Sequence, residues 1–469
     1  MSNLLASLQT AGHALDVYQQ ALDVVQNNIT NAGTPGFATQ SPKLLALPFN
    51  LSGGLIGGVA EKGLESARDE YAEEEVRRQV ESLGRYETQV QGTSSVEQLF
   101  NVSGTSGIPA DLDQLFQSFS AWSVTPNGPV AQQTVLSSAG QLGDDVRQLS
   151  ASLTTTAQDI RTQIGSTVEQ INQLAATIQQ SNVQRLKETS LDPGLDANLH
   201  SSLEQLSELA DISVVSQADG TVNILLSGGS PLVVGTTQYS LGASVGVLST
   251  AVNPQAPPSA MIHDSQGNDI TAQIQGGKLS GLLDVHNRVI ASMIGDGNQT
   301  GSLNQFAKTL ADTINGILQS GTTASGAAGT ALFVYNSSDP TTAAGSLALN
   351  SSLTGSDLAA VDAQGNSNGN ALNLAALADS QDSINGLSLG GFFAGIASFA
   401  GQESSSAQSN QQTQQQVVAQ TRALRDQTSG VSLDAQAVAL LQYQRSYQAG
   451  ARLLTTINSL GDELMSLIK

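Results

Sequence analysis

Apolar or small residues fall at Leu4, Leu8, Ala11, Leu15, Tyr18, Leu22, Val25 and Ile29, in steps that alternate between four and three. That spacing is the period of a supercoiled helix seam. Leu440, Tyr443, Tyr447, Gly450, Leu454, Ile457, Gly461, Leu464 and Ile468 keep the same alternation at the other end of the chain. Each end therefore predicts a helix with one narrow sticky face, and the two are expected to pair as a coiled-coil domain. The first helix runs from residue 3 to about 30. It stops in Asn27-Asn28-Ile29-Thr30-Asn31-Ala32-Gly33-Thr34-Pro35-Gly36-Phe37, where Asn and Gly supply left-handed backbone and Pro35 prevents continuation. Gly430 breaks the helix before the last one, and Ser432 or Asp434 can begin the terminal helix.

Between the ends, a glycine-rich stretch over 50–63 predicts a hairpin. Residues 65–100 predict a charged helix in which Glu73 with Arg77, and Glu74 with Arg78, form a solvated face. Leu112, Leu115, Phe116, Phe119 and Trp122 give a helix with a broad apolar face, ending near Pro126-Asn127-Gly128-Pro129. Two further helices are expected over 130–156 and 157–187, and another over 198–210. The period then becomes two at Ile212–Ser216, Thr221–Leu225 and Pro231–Val234, with hairpin signals between the runs. This β stretch is expected to reach about Asp284, and helices resume with Leu303, Phe306, Leu310 and Ile314. Residues 320–370, rich in Gly, Ala, Ser and Asn, predict a flexible surface loop or the remnant of a further domain. The polar, Gln-rich run Ser404–Gln416 fits the exposed part of one long helix reaching Arg425. The fold class is mainly α with a small β insert, built as an elongated helical bundle. The expected domains are 1–45 with 431–469 (terminal helices), 46–211 with 285–430 (bundle) and 212–284 (β insert).

Composition narrows the function. Lys and Arg number 18 against 40 Asp and Glu, a net charge of −22, so a basic groove for nucleic acid is excluded. With no cysteine, disulfides, thiolate catalysis and Cys-ligated zinc are excluded together. The first basic residue is Lys43, so no cleaved Sec leader is expected, and no apolar run is long enough to span a membrane. His13, His200, His263 and His286 form no ligand pair and are expected at the surface or at helix caps; Asp144-Asp145 is expected to be solvated charge. Neither an enzyme nor a cofactor or metal site is predicted.

The segment Asn27-Asn28-Ile29-x-Asn31 followed by Gly36-Phe37 resembles the signature of flagellar axial proteins. Phe116, Phe119, Pro129 and Ala131 are similar to the hook-associated protein 1 family, with Gln132 where Arg is usual. Gly430-Val431-Ser432-Leu433-Asp434, Tyr443-Gln444 and Tyr447-Gln448-Ala449 resemble the ending shared by hook-associated and hook proteins. The resemblance implies a non-enzymatic component of the extracellular flagellum that forms a ring-like junction with copies of itself. Its implied neighbours are hook protein and hook-associated protein 3. Export is implied through the flagellar type III apparatus, with a cytoplasmic chaperone on the C-terminal helix. The implied assembly residues are Leu4, Leu8, Leu15, Leu22, Asn27, Asn28, Ile29, Asn31, Gly36 and Phe37, with Leu440, Tyr443, Tyr447, Gly450, Leu454, Ile457, Leu464 and Ile468. A hook or rod protein, or a secreted coiled-coil adhesin with a ligand-binding β insert, is the alternative.

Overall fold

The computed structural model describes residues 2–50, 55–100, 106–188, 192–244, 258–381 and 384–467. Helix α1 (Ser2–Thr30) leads into an antiparallel hairpin of β1 (Gln40–Ala46) and β4 (Val59–Ser66), extended by the short pair β2 (Phe49–Asn50) and β3 (Leu55–Ile56). The predicted hairpin is present, with its tip, residues 51–54, outside the described residues. Because β4 runs to Ser66, the next helix, α2 (Glu70–Glu97), starts later than expected. Asp69 caps it, its Oδ1 accepting from the backbone N–H groups of Tyr71 and Ala72.

The bundle is built on α2, α3 (Ile108–Val124), α4 (Pro129–Arg185) and α5 (Pro193–Leu209). The two helices expected over 130–156 and 157–187 are one helix of 57 residues, roughly 85 Å long. No Gly or Pro interrupts it near residue 156, and Leu153, Ala157 and Ile160 keep one face buried across the expected break. Thr154, Thr155 and Thr156 donate their hydroxyls to the carbonyls four residues back, so these residues stay inside the helix.

Strands β5 (Ile212–Ser216), β6 (Val222–Leu226), β7 (Pro231–Val234) and β8 (Thr237–Gln238) form an antiparallel meander. Strand β9 (Gly242–Ser244) pairs with β10 (Met261–His263). The β stretch does not continue to Asp284: α6 (Gly277–Asp284), a π-helical turn over Val285–Ile290 and α7 (Ala291–Ile294) make one bent helix. Its Leu279, Leu282, Val289 and Ile290 are buried, so this segment belongs to the bundle core. Asn287 holds the insert to it, bonding both the N–H and the carbonyl of Ala260.

After α8 (Ser302–Gln319), residues 320–370 are packed, contrary to the expected flexible loop. They contain β11 (Phe333–Val334), α9 (Ala343–Ser346), β12 (Ala348–Leu349) and the start of α10 (Gly369–Ala376). The small residues are there for close approach: Ala343 and Ala344 are fully buried, and a Cβ on Gly321 would stand 2.0 Å from the Val361 carbonyl. Buried Asn304 ties the segment down, donating to the Thr341 carbonyl and accepting from Ala344 N–H. One core runs from Val96 to Ala400, with Trp122, Phe119, Phe306, Phe333 and Phe393 at its centre. The expected long polar helix is α11 (Leu389–Ser429), which lies along α2 and is followed by α12 (Leu433–Leu467).

Candidate assembly interface

Helices α1 and α12 pair antiparallel, bringing the two ends of the chain together. Leu4 lies against Gly461 and Leu15 against Gly450, where an added Cβ would meet the Leu15 side chain at 3.0 Å. The two seam glycines thus allow the backbones to approach where a larger residue would push the helices apart. Leu4, Leu8, Leu15 and Leu22 on α1, and Leu440, Tyr443, Leu454 and Ile457 on α12, are all at least half covered or buried. The predicted seam departs in three places: Ile29, Tyr447 and Leu464 are 38%, 36% and 44% exposed. Ile468 lies outside the described residues. In the C-terminal half of α1 the buried row is Val17, Ala21, Val25 and Asn28: Val25 is as predicted, and the other three stand one position before Tyr18, Leu22 and Ile29. This half faces the β1–β4 hairpin as well as α12, and two neighbours rotate the buried face.

Asn28 is the polar anchor of this arrangement. It is buried, donates to the Gln40 carbonyl at 2.8 Å and to Gln436 Oε1 at 3.1 Å, and accepts from Gln40 N–H at 3.0 Å. One side chain therefore joins α1, β1 and α12. Asn31 closes the helix end, its Nδ2 donating to the Asn27 carbonyl while its Oδ1 accepts from the Thr34 hydroxyl. Gly36 has φ +73°, and a Cβ there would lie 2.3 Å from the Ala197 carbonyl on α5. Only glycine satisfies both constraints. Phe37 is half-buried beside it. Thr39 binds the far end of the chain directly: its N–H donates to the Ser429 carbonyl at 2.9 Å and its hydroxyl to the Gly430 carbonyl at 2.8 Å. The two motif segments, Ala32–Phe37 and Ser429–Ser432, line one cleft of about 480 Å³ with Glu73 and Arg425.

Where this cleft meets the bundle lies a buried charge cluster that the sequence pattern did not indicate. The Arg68 side chain is 4% exposed and pairs with Glu73 at 2.6 Å and Asp196 at 2.7 Å, and it donates to the Gly36 carbonyl at 2.7 Å. Arg425 reaches Glu73 and Glu204 from α11. Glu73 and Arg77 are thus buried, a correction to the solvated face expected of them, and Arg78 pairs with Glu75 instead of Glu74. His200 is also buried, and burial together with the Arg68, Arg77 and Arg425 charges pushes its pKa down to about 2, so it is neutral. His286 is buried inside the bundle and shifted down mainly by burial, so neither residue is the surface histidine expected. Asp144 is exposed, as expected, and pairs with Arg147, whereas Asp145 is half-buried and accepts from Gln141 Nε2 at 3.0 Å; burial, with Asp145 nearby, raises the Asp111 carboxyl to about 7. A lone Arg with partners 128 residues away has no periodic signature; its only sequence cue is its place just before the cap Asp69.

The exposed apolar residues of α12 outside the seam were also missed. Val438, Leu441, Leu453, Leu460 and Met465 are each 48% or more exposed, as is Leu5 on α1. The doublets Leu440-Leu441 and Leu453-Leu454 were the sequence signal: at about 100° per residue, Leu441 stands to one side of the seam and Leu453 to the other. Among the described residues no group of three or more His, Asp or Glu is placed to hold a metal, and no helix is long and apolar enough to cross a membrane.

Comparison with known proteins places this architecture. Residues 425–467 match the family described as flagellar basal body rod FlgEFG protein, C-terminal. Over 99% of both chains, the sequence is 26% identical to flagellar hook-associated protein 1 of Bacillus subtilis. It is also 26% identical to the protein of that name from Salmonella typhimurium, over 64% of this chain and 54% of that one. The fold is similar to that of the flagellar hook junction protein FlgK from Burkholderia pseudomallei, with a TM-score of 0.64 at 16% identity, covering 75% of this chain and 99% of that one. Residues 93–333, just over half of the chain, match the helical domain of flagellar hook-associated protein FlgK, and the chain belongs to that family of structural, non-enzymatic flagellar axial proteins.

Proposed function

We propose that the chain builds the junction between the flagellar hook and filament, by stacking its terminal helix pair beside copies of itself in a ring-like assembly. One observation carries this reading: the pair leaves Leu5, Val438, Leu441, Leu453, Leu460 and Met465 in water although Leu15 and Gly450 meet at its seam. Such a row is what contact between subunits removes, and heterologous packing of identical units generates rings or helical arrays. Leu4, Leu8, Leu15, Leu22, Leu440, Tyr443, Gly450, Leu454 and Ile457 close the pair; Ile29, Tyr447 and Leu464 face neighbours. Asn27, Asn28, Asn31, Gly36 and Phe37 hold the pair at a set angle to the bundle. The domains are the terminal pair (1–45 with 431–469), the bundle, and a β insert beginning at residue 212, with α6 assigned to the bundle.

The site of action is outside the cell, reached through the flagellar type III apparatus. Hook protein and hook-associated protein 3 are the axial neighbours, and a cytoplasmic chaperone covers the α12 row before export. Deleting the gene tests the assignment. Cells without it make hooks, lack filaments and release unpolymerised flagellin; normal filaments in that strain refute the junction role. Leu454→Asp is expected to prevent assembly while the bundle keeps its thermal transition.

A further inference from the structure

Between Ser2 and Thr30 the only acidic residues are Asp16 and Asp23, with no Lys or Arg; between Leu433 and Leu467 the only basic residues are Arg445 and Arg452. Both pairs are seven residues apart, and all four side chains are exposed. Asp16 and Asp23 each follow a seam leucine, Leu15 and Leu22, and so stand about 100° round the helix from it. Arg445 and Arg452 each stand two residues past Tyr443 and Gly450, about 200° round, on the side of α12 turned away from α1. Within one chain the two rows therefore diverge. Among the described residues none of the four makes an ion pair; Asp23 only accepts a hydrogen bond from Gln19 at 3.2 Å.

We infer that neighbouring copies of the chain are set in register by two ion pairs, Asp16 with Arg452 and Asp23 with Arg445, formed between α1 of one copy and α12 of the next. The inference rests on the terminal pair being the assembly surface and names what fixes its alignment. Antiparallel helices satisfy both pairs at once, because seven residues up α1 match seven residues down α12. The acidic residues of α12, Asp434, Asp462 and Glu463, lie near its ends and leave the middle of the row purely basic. Inside one chain Leu15 stands opposite Gly450; between chains this register sets Leu15 level with Leu453. The offset is three residues, about 4.5 Å along the axis, and a repeated axial step with rotation makes a helical array instead of a flat ring. Exposed ion pairs add little affinity, but a register shifted by a few residues leaves both Asp and both Arg without partners. The exposed apolar row supplies adhesion without alignment, and the charges supply alignment.

The test uses the full chain, produced in cells lacking its gene. Having no cysteine, it reports an introduced disulfide without background. Asp16→Cys with Arg452→Cys should give a ladder of covalent multimers in oxidised, assembled flagella, and monomer only in the dilute secreted protein. Chain present on hooks without a ladder overturns the register and leaves the junction role standing; chain absent from hooks overturns both. Charge reversal is the second arm. Asp16→Arg with Asp23→Arg, or Arg445→Asp with Arg452→Asp, should reduce filaments per cell by about tenfold or more, and the four changes together should restore them. Normal filament numbers in either reversed pair refute the inference. Unchanged helicity of the purified variants separates this loss from misfolding.

Discussion

Helices α4 and α12 both carry apolar residues at helical spacing, yet they meet solvent in opposite ways. On α4 the apolar row from Val135 to Ile178 is buried under α3, α5, α6 and the small elements after α8. On α12 only Gln436 and Ile457 are buried among the described residues, while Leu441, Leu453 and Leu460 remain wet. The α4 row is matched by partners within its own chain. On α12, Leu441 and Leu453 flank the seam on either side, beyond the width that α1 covers. Apolar periodicity alone therefore reports that a helix will be covered, and the count of available partners decides by whom.

The sharpest way to break that contrast is at the joint between the two regions. Arg68→Ala leaves Asp196 without its ion-pair partner and Glu73 with only the longer contact to Arg425, and is expected to cost about 3–5 kcal/mol, read as a lower midpoint in urea unfolding. Ile164→Ala, in the fully covered row of α4, should cost about 2–5 kcal/mol of bundle stability in the same assay. Asn28→Ala strips partners from Gln40 and Gln436 at the root of the pair. A loss of about 1–3 kcal/mol is expected, seen as faster hydrogen exchange in α1 and α12 with the bundle unchanged.

A pH titration sharpens the contrast further. Burial, aided by the Asp211 charge, raises the Glu81 carboxyl on α2 to about 7. Because its folded pKa lies above the unfolded value, its contribution is complete below about pH 4.5 and is lost as pH rises through about 7. The bundle midpoint should thus fall between pH 5 and 8, and Glu81→Gln should flatten that fall. His200 acts in the opposite sense: its folded pKa is depressed, so its contribution is present above about pH 6.5 and fades as pH drops below that value. The smallest effect is expected at the wet row, where Leu460→Ala should change monomer stability by less than about 0.5 kcal/mol. A larger loss would mean that the row is covered within the chain.

Much of this contrast was legible in the residues. The 4-3 alternation at each end predicted the coiled-coil pair, and the Asn-Asn-Ile-x-Asn segment marked where α1 stops. Three misreadings share one cause, which is that periodicity describes one helix and not its neighbours. The buried face of α1 turns toward Val17, Ala21, Val25 and Asn28 because the hairpin packs beside α12. The break expected after residue 156 is absent, and the hydroxyls of Thr154–Thr156 bond back into α4. Gly321, Ala343 and Ala344 suggested a mobile loop, although smallness there serves tight contact. The Arg68 cluster joins the link between β4 and α2 to residues of α2, α5 and α11, and no local window contains it.

The clasp of Thr39 on Ser429 and Gly430 has a consequence for the order in which the molecule matures. Its two halves lie 391 residues apart in the chain, so α1 has only the β1–β4 hairpin beside it until α12 is made. The bundle can condense early from nearer contacts, and the helix pair closes last. A chain cut short by a few dozen residues would then keep its interior and present a permanently single α1. Completion of the polypeptide is thereby written into the shape of its extremity, where an incomplete copy is distinguishable from a finished one.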